Sequence, residues 1–222
     1  MLYKLKKTIT VLFVIIIFSY LSYLMLKICL SYFPWTGEND FLTLKQDLVT
    51  TQPWRFAFQI HVITSCFCLL AGFTQFFHHF RQGQYRYIHR IVGYLYIISI
   101  LLLALPSGFI LAIYALGGLP TQISLILLSL FWAISTCSAL FYAIKKNWFQ
   151  HRNWMIRSFA LTLSALSLRT WKVILYEISP YWDWLTAIHI YQLESWLGWT
   201  INLIIAEWII YRLKNQKSRS KI

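Results

Sequence analysis

Long apolar runs separated by short polar segments make up nearly the whole chain. A helix of about 20 apolar residues is long enough to cross the hydrocarbon core of a bilayer. Six runs approach this length, so we predict six transmembrane helices, at about 8–30, 54–80, 91–116, 121–144, 153–178 and 193–212. The predicted fold class is all-α, a polytopic integral membrane helical bundle.

The polar segments divide the chain into four predicted parts. Residues 1–35 form an N-terminal transmembrane helix, and residues 36–53 form an extracytoplasmic loop with room for a short surface helix. Residues 54–212 form a five-helix membrane domain, and residues 213–222 form a basic cytoplasmic tail.

Lysine and arginine are unequally distributed between alternate ends of the predicted helices. Fifteen of the 20 fall on the side that holds both termini, and the other five are Lys27, Lys45, Arg55, Arg169 and Lys172. Because such residues accumulate in cytoplasmic loops, both termini are predicted to be cytoplasmic, in a cell (inner or plasma) membrane. The net charge of +13 thus needs no nucleic acid partner. The predicted partner is the lipid bilayer, and the basic tail could attract anionic lipid head groups.

Composition limits where any activity could lie. Only 12% of the residues are charged, against roughly a quarter in soluble domains, and no room remains for a soluble catalytic domain. The sequence has no glycine-rich phosphate loop, no Gly-x-Ser-x-Gly motif and no His-Glu-x-x-His motif. The four cysteines lie within apolar runs, where packing thiols are expected. Whether the protein is an enzyme stays open.

Two ionisable residues are predicted to lie within the inner leaflet. Charged groups at membrane depth are costly, so those present usually face a partner inside the bundle. Glu207 is placed about 8 Å along its helix from Arg212, and Arg157 is the partner predicted for it at a comparable depth. The pair could be a structural link between helices, or Glu207 could handle protons or bind substrate.

The histidines suggest a second chemistry, haem b. His61 and His79 lie eighteen residues apart on one face of a helix, about 27 Å from one another. A haem near each membrane surface could then be bound by His78 or His79 with His89 or His151, and by His61 with His189. The alternative is that these histidines are interfacial or hydrogen-bonding groups.

The third predicted helix carries a stripe of small residues interrupted by a proline. Ala104, Gly108 and Ala112 recur at a spacing of four, which would allow a neighbouring helix to approach closely. Pro106 lies within this stripe, and we expect it to kink the helix and free a backbone carbonyl.

Several motifs together resemble a bacterial family of predicted membrane proteins catalogued as domain of unknown function 2306. The most specific are His151-Arg-Asn-Trp-Met-Ile-Arg157 and Asn202-Leu-Ile-Ile-Ala-Glu207-Trp208, and the resemblance covers about 54–212. The family has no established activity. The resemblance implies a polar signature that we take as the candidate site: His61, Gln75, His89, Arg90, His151, Arg157, Arg169, Asn202 and Glu207.

The signature as the resemblance gives it does not include His78, His79 or His189, which disfavours the two-haem arrangement. A single inner haem between His89 and His151 stays open. Three functions remain: a membrane-embedded binding or transport protein with an inner-leaflet His/Arg/Glu cluster, a b-type cytochrome-like redox protein, and a non-catalytic membrane subunit or assembly component.

Overall fold

The computed structural model describes residues 2–33, 42, 46–77 and 83–219, and within them every regular element is helical. The α-helices of this part of the chain are α1 Leu2–Ser31, α2 Gln46–Val49, α3 Gln52–Thr74, α4 Arg86–Ile98, α5 Leu105–Ile113, α6 Leu119–Ile144, α7 Trp148–Thr162, α8 Ser164–Ile178 and α9 Ala187–Arg219. A π-helical segment, Ser99–Ala104, joins α4 to α5. The predicted all-α class is confirmed.

Among the described residues, four helical stretches are long and apolar enough to cross a membrane: Thr8–Ser31, Gln52–Thr74, Gly83–Ile113 and Leu119–Ile144. They correspond to the first four predicted spans. The second ends at Thr74, whereas the sequence placed its end near residue 80, in a segment that is only partly described. The chain divides into two compact units, residues 1–50 and residues 51–222.

The fifth predicted span, 153–178, is not one regular helix. The structure has two 15-residue helices there, α7 and α8, separated at Leu163. Each is about 22 Å long at 1.5 Å per residue, shorter than the roughly 30 Å hydrocarbon core. The sixth predicted span lies inside the 33-residue α9, which is not among the helices apolar enough to span in the described part of the chain.

Pro106 marks a second irregularity in the helical backbone. The π-helical segment ends at Ala104, two residues before this proline. Proline lacks an N–H and cannot donate to the preceding turn, so a helix that contains it must depart from regular α geometry. The disruption expected at Pro106 is thus seen as a π-helical stretch, an arrangement that is frequent where helices form functional sites.

The core of residues 51–222 is built where α3, α4, α6, α7 and α9 meet. Cys68, Tyr96, Ile100 and Trp132 belong to one buried apolar cluster in this core. Two glycines permit the closest approaches between helices. A Cβ on Gly72 would lie 2.6 Å from the Phe159 ring, and one on Gly198 would lie 3.2 Å from the backbone of Leu168.

Candidate functional site

The predicted pairing of Arg157 with Glu207 is confirmed. The guanidinium donates from Nε to Oε1 at 2.5 Å and from Nη2 to Oε2 at 2.9 Å, so the contact is bidentate. It joins α7 to α9, and the guanidinium carbon also lies 4.5 Å from the ring centroid of Trp154. Both charges therefore have a geometrically matched partner.

Gln75 and His89 meet at a cavity between α3 and α4. The cavity has a volume of about 320 Å³, and Phe67, Leu70, Ala71, Thr74, Ile88 and Val92 supply the rest of its lining. Gln75 is 7% exposed, and a Cβ on Gly93 would lie 3.2 Å from its Oε1. Glycine at this position therefore leaves room for the Gln75 amide. The rest of the lining is apolar apart from Thr74, so three lining side chains can form hydrogen bonds.

His151 and Arg90 lie apart from that cavity lining. His151 Nδ1 is 2.8 Å from the backbone carbonyl of Ala139 in α6. Because a carbonyl oxygen only accepts hydrogen bonds, Nδ1 of His151 must carry a proton and act as the donor in this contact. Arg90 follows His89 on α4 and is exposed. The inner residues predicted as one cluster are thus divided between the α7–α9 ion pair, the α3–α4 cavity and the α6–α7 contact.

His61 contacts the irregular stretch around Pro106. Its Nδ1 lies 3.1 Å from the Ala104 carbonyl, and its ring would crowd any Cβ added at Gly108. Ala104 and Gly108, which were expected from the sequence to pack against a neighbouring helix, contact the imidazole ring of His61. Arg169 of α8 lies close enough to interact electrostatically with His61 and donates to the Ala165 carbonyl at 2.7 Å.

Asn202 bridges the break between α7 and α8. Its Nδ2 donates to the Ala160 carbonyl at 3.1 Å, and its Oδ1 accepts from Ser167 Oγ at 3.0 Å. A helix break releases backbone carbonyls that need new donors when water is absent. Ser164 Oγ supplies another donor, to the Leu161 carbonyl. Asn202 therefore stabilises the irregular backbone of the two short helices.

A buried hydroxyl network, which sequence reasoning missed as a site, links α4, α6 and α7. Tyr96 Oη lies 3.0 Å from Ser158 Oγ and 2.8 Å from Thr162 Oγ1, while Thr136 Oγ1 lies 2.8 Å from Ser158 Oγ. Trp132 Nε1 donates to Thr162 Oγ1 at 3.2 Å. Isolated serines and threonines in apolar runs are common, and only the fold brings these together. Their hydrogen bonds hold the three helices in one register.

The histidines that the structure describes contact different parts of the fold. His61 contacts α5, His89 borders the α3–α4 cavity, and His151 contacts α6. Ligation of haem by two histidines requires two imidazole rings that face each other. His61, His89 and His151 each contact a different part of the fold, which disfavours such a pair. His78 and His79 lie outside the described residues, while His189 bonds to Thr186 on its own stretch of chain.

Comparison with known proteins places these residues within one family. Residues 58–210 match the family described as Predicted membrane protein (DUF2306). This segment is more than half of the 222 residues and includes every residue of the candidate site. A search of curated proteins found no match, and neither did a search of solved structures. The chain belongs to the predicted membrane protein family DUF2306.

Proposed function

We propose that the protein is a membrane-embedded binding protein that holds a quinone head group in the cavity between α3 and α4. The observation that carries the proposal is the cavity itself, about 320 Å³ in volume, with Gln75 and His89 in an otherwise largely apolar wall. Ligand sites combine an apolar lining with a few placed polar groups in this way.

The chemistry of the lining favours a quinone over a charged lipid head group. Arg157 is already paired with Glu207, and neither residue lines the cavity. Gln75 and His89 carry N–H groups of the kind that donate to the carbonyl oxygens of a neutral ligand. Since the exposed cavity surface is almost wholly apolar, these side chains would have to turn toward the ligand. An anionic head group would instead need a positive charge to replace the water that it loses.

Binding of decylubiquinone to the purified protein in nanodiscs tests this proposal. We expect saturable binding by titration calorimetry, and a roughly fivefold weaker Kd in Gln75→Leu, because one hydrogen bond contributes about 1 kcal/mol. Gln84→Leu is the matched control, since Gln84 is exposed and outside the cavity lining. Absence of saturable binding, or equal weakening in both variants, would leave a non-catalytic membrane subunit as the better interpretation.

Haem is a second candidate, supported by the hydrogen bonds of two histidines. His61 and His151 each direct Nδ1 to a backbone carbonyl, which leaves Nε2 with the lone pair, as in many metal-ligating histidines. Their separate neighbours disfavour a shared ligand. A dithionite-reduced minus oxidised absorption spectrum of the same preparation decides, since haem would give Soret and α bands that His151→Ala should diminish.

We propose further that the chain has six membrane crossings with both termini in the cytoplasm of the cell. The supporting observations are the distribution of lysine and arginine and the four apolar helices. The remaining two crossings would be α7 with α8, and α9. We expect a C-terminal green fluorescent protein fusion to fluoresce and a C-terminal alkaline phosphatase fusion to be inactive. The reverse result would contradict a cytoplasmic C-terminus.

A further inference from the structure

Glu194 of α9 is a buried acid at the opposite end of the bundle from the Arg157–Glu207 pair. Glu194 is only 7% exposed. Among the residues that the structure describes, none provides a hydrogen-bond partner for its Oε2, which is itself buried. A buried carboxylate oxygen without a donor costs a large part of its lost hydration. The neutral acid avoids that cost.

Two cations on the neighbouring helix act in the opposite direction. Lys172 and Arg169 of α8 both interact electrostatically with Glu194, and neither forms an ion pair with it at hydrogen-bonding distance in the described structure. Lys172 is exposed, whereas Arg169 is half-buried and also faces His61 of α3. On α9 itself, Tyr191 is the ionisable neighbour. Nearby positive charge favours the carboxylate.

We propose that Glu194 is a reversible proton-binding site of this protein. Burial with an unpartnered oxygen favours the protonated acid, and the two cations favour the carboxylate. A proton needs no cavity, so this close-packed region can bind it. The site goes beyond quinone binding, because it uses different residues on different helices.

Glu207 provides an internal comparison on the same helix. The two acids are thirteen residues apart on α9, about 20 Å along its axis. Both carboxylate oxygens of Glu207 accept hydrogen bonds from Arg157, whereas Oε2 of Glu194 has no such donor among the described residues. The proposal therefore assigns the exchangeable proton to Glu194 and not to Glu207, and a chemical probe can distinguish the two.

Infrared spectroscopy of the full-length protein in nanodiscs detects such a proton directly. A protonated carboxylic acid has a C=O stretching band at higher frequency than the carboxylate bands, and the band shifts in deuterated water. We expect this band in the wild type at neutral pH, and its reversible loss as the pH is raised. It should be absent from Glu194→Gln and retained in Glu207→Gln.

Lys172→Gln supplies a second test at an exposed position where a folding defect is not expected. Removal of this cation should increase the protonated band at neutral pH. The reason is that the carboxylate loses a stabilising positive charge, so the protonated acid becomes more favourable. A merely structural Glu194 would leave the band unchanged in this variant. The proposal is overturned if the wild type has no such band at neutral pH, if the band persists in Glu194→Gln, or if Lys172→Gln does not enlarge it.

Discussion

Replacement of Gly72 by alanine is expected to destabilise residues 51–222 by about 1–3 kcal/mol, because the new methyl group overpacks a closed interface. A Cβ at this position would lie 2.6 Å from Phe159 Cδ2 and 2.8 Å from Tyr96 Cε2. Carbon atoms in contact are normally about 3.5–4.0 Å apart. At least one of the two rings must move to accept the substitution.

Neither ring can move without losing other contacts. Tyr96 is completely buried, and its hydroxyl lies within hydrogen-bonding distance of Ser158 and Thr162. Phe159 is 8% exposed and packs against the ring of Phe76, with centroids 5.1 Å apart. The alanine methyl group therefore competes with the hydroxyl network as well as with apolar packing.

Thermal unfolding of the Gly72→Ala protein in detergent measures this effect. Gly93→Ala is the matched control, since its Cβ would meet the end of the Gln75 side chain at 3.2 Å instead of two buried rings. We expect a clear loss of Tm for Gly72→Ala and a smaller one for Gly93→Ala. Equal Tm values for wild type and Gly72→Ala would show that the interface is looser than described.

The second large effect is expected at the Arg157–Glu207 pair. Either single replacement, Arg157→Gln or Glu207→Gln, leaves one charge without its bidentate partner and should cost about 1–3 kcal/mol. The double variant removes both charges and should be more stable than the sum of the two single effects predicts. Reversible unfolding of the four proteins in detergent or bicelles gives the coupling free energy of this double-mutant cycle.

The size of that coupling reports on the surroundings of the pair. The side chains are 22% and 53% exposed in the folded chain, to either lipid or water. A water-exposed pair would show a coupling of about 0–1 kcal/mol, whereas a pair facing hydrocarbon should exceed 1 kcal/mol. Strictly additive single effects would contradict a structural link between α7 and α9. Loss of a cellular phenotype with unchanged unfolding would indicate a functional Glu207.

The sequence also predicted where several polar residues would find partners. The pairing of Arg157 with Glu207 followed from their similar depth in two predicted helices, because an isolated charge there is unfavourable. The irregularity at Pro106 followed from the missing N–H of proline. The prediction at Pro106 used a rule about the geometry of a single helix, and the prediction of the ion pair used the cost of an isolated charge. The structure has both the ion pair and the irregular segment.

The sequence did not predict the break at Leu163 or the hydroxyl network around Tyr96. No proline or glycine lies at the break, and the carbonyl of Ala160 is satisfied by Asn202, 42 residues away. Helix breaks of this kind depend on donors that other helices supply. The apolar pattern of residues 153–178 gives no information about donors elsewhere in the chain, so it predicted one continuous helix.

The sequence by itself determined that this is an all-helical membrane protein, because hydrophobic length and helical hydrogen bonding are local properties. Four of its six predicted spans correspond to apolar helices of spanning length in the described part of the chain. It also predicted that Arg157 and Glu207, charges that are unfavourable without a partner, would pair with each other. Only the tertiary structure decided that the predicted inner cluster divides into an ion pair, a cavity and a separate histidine contact. Which face of each helix meets which neighbour depends on packing between distant segments, and that packing sets the partner of each polar group.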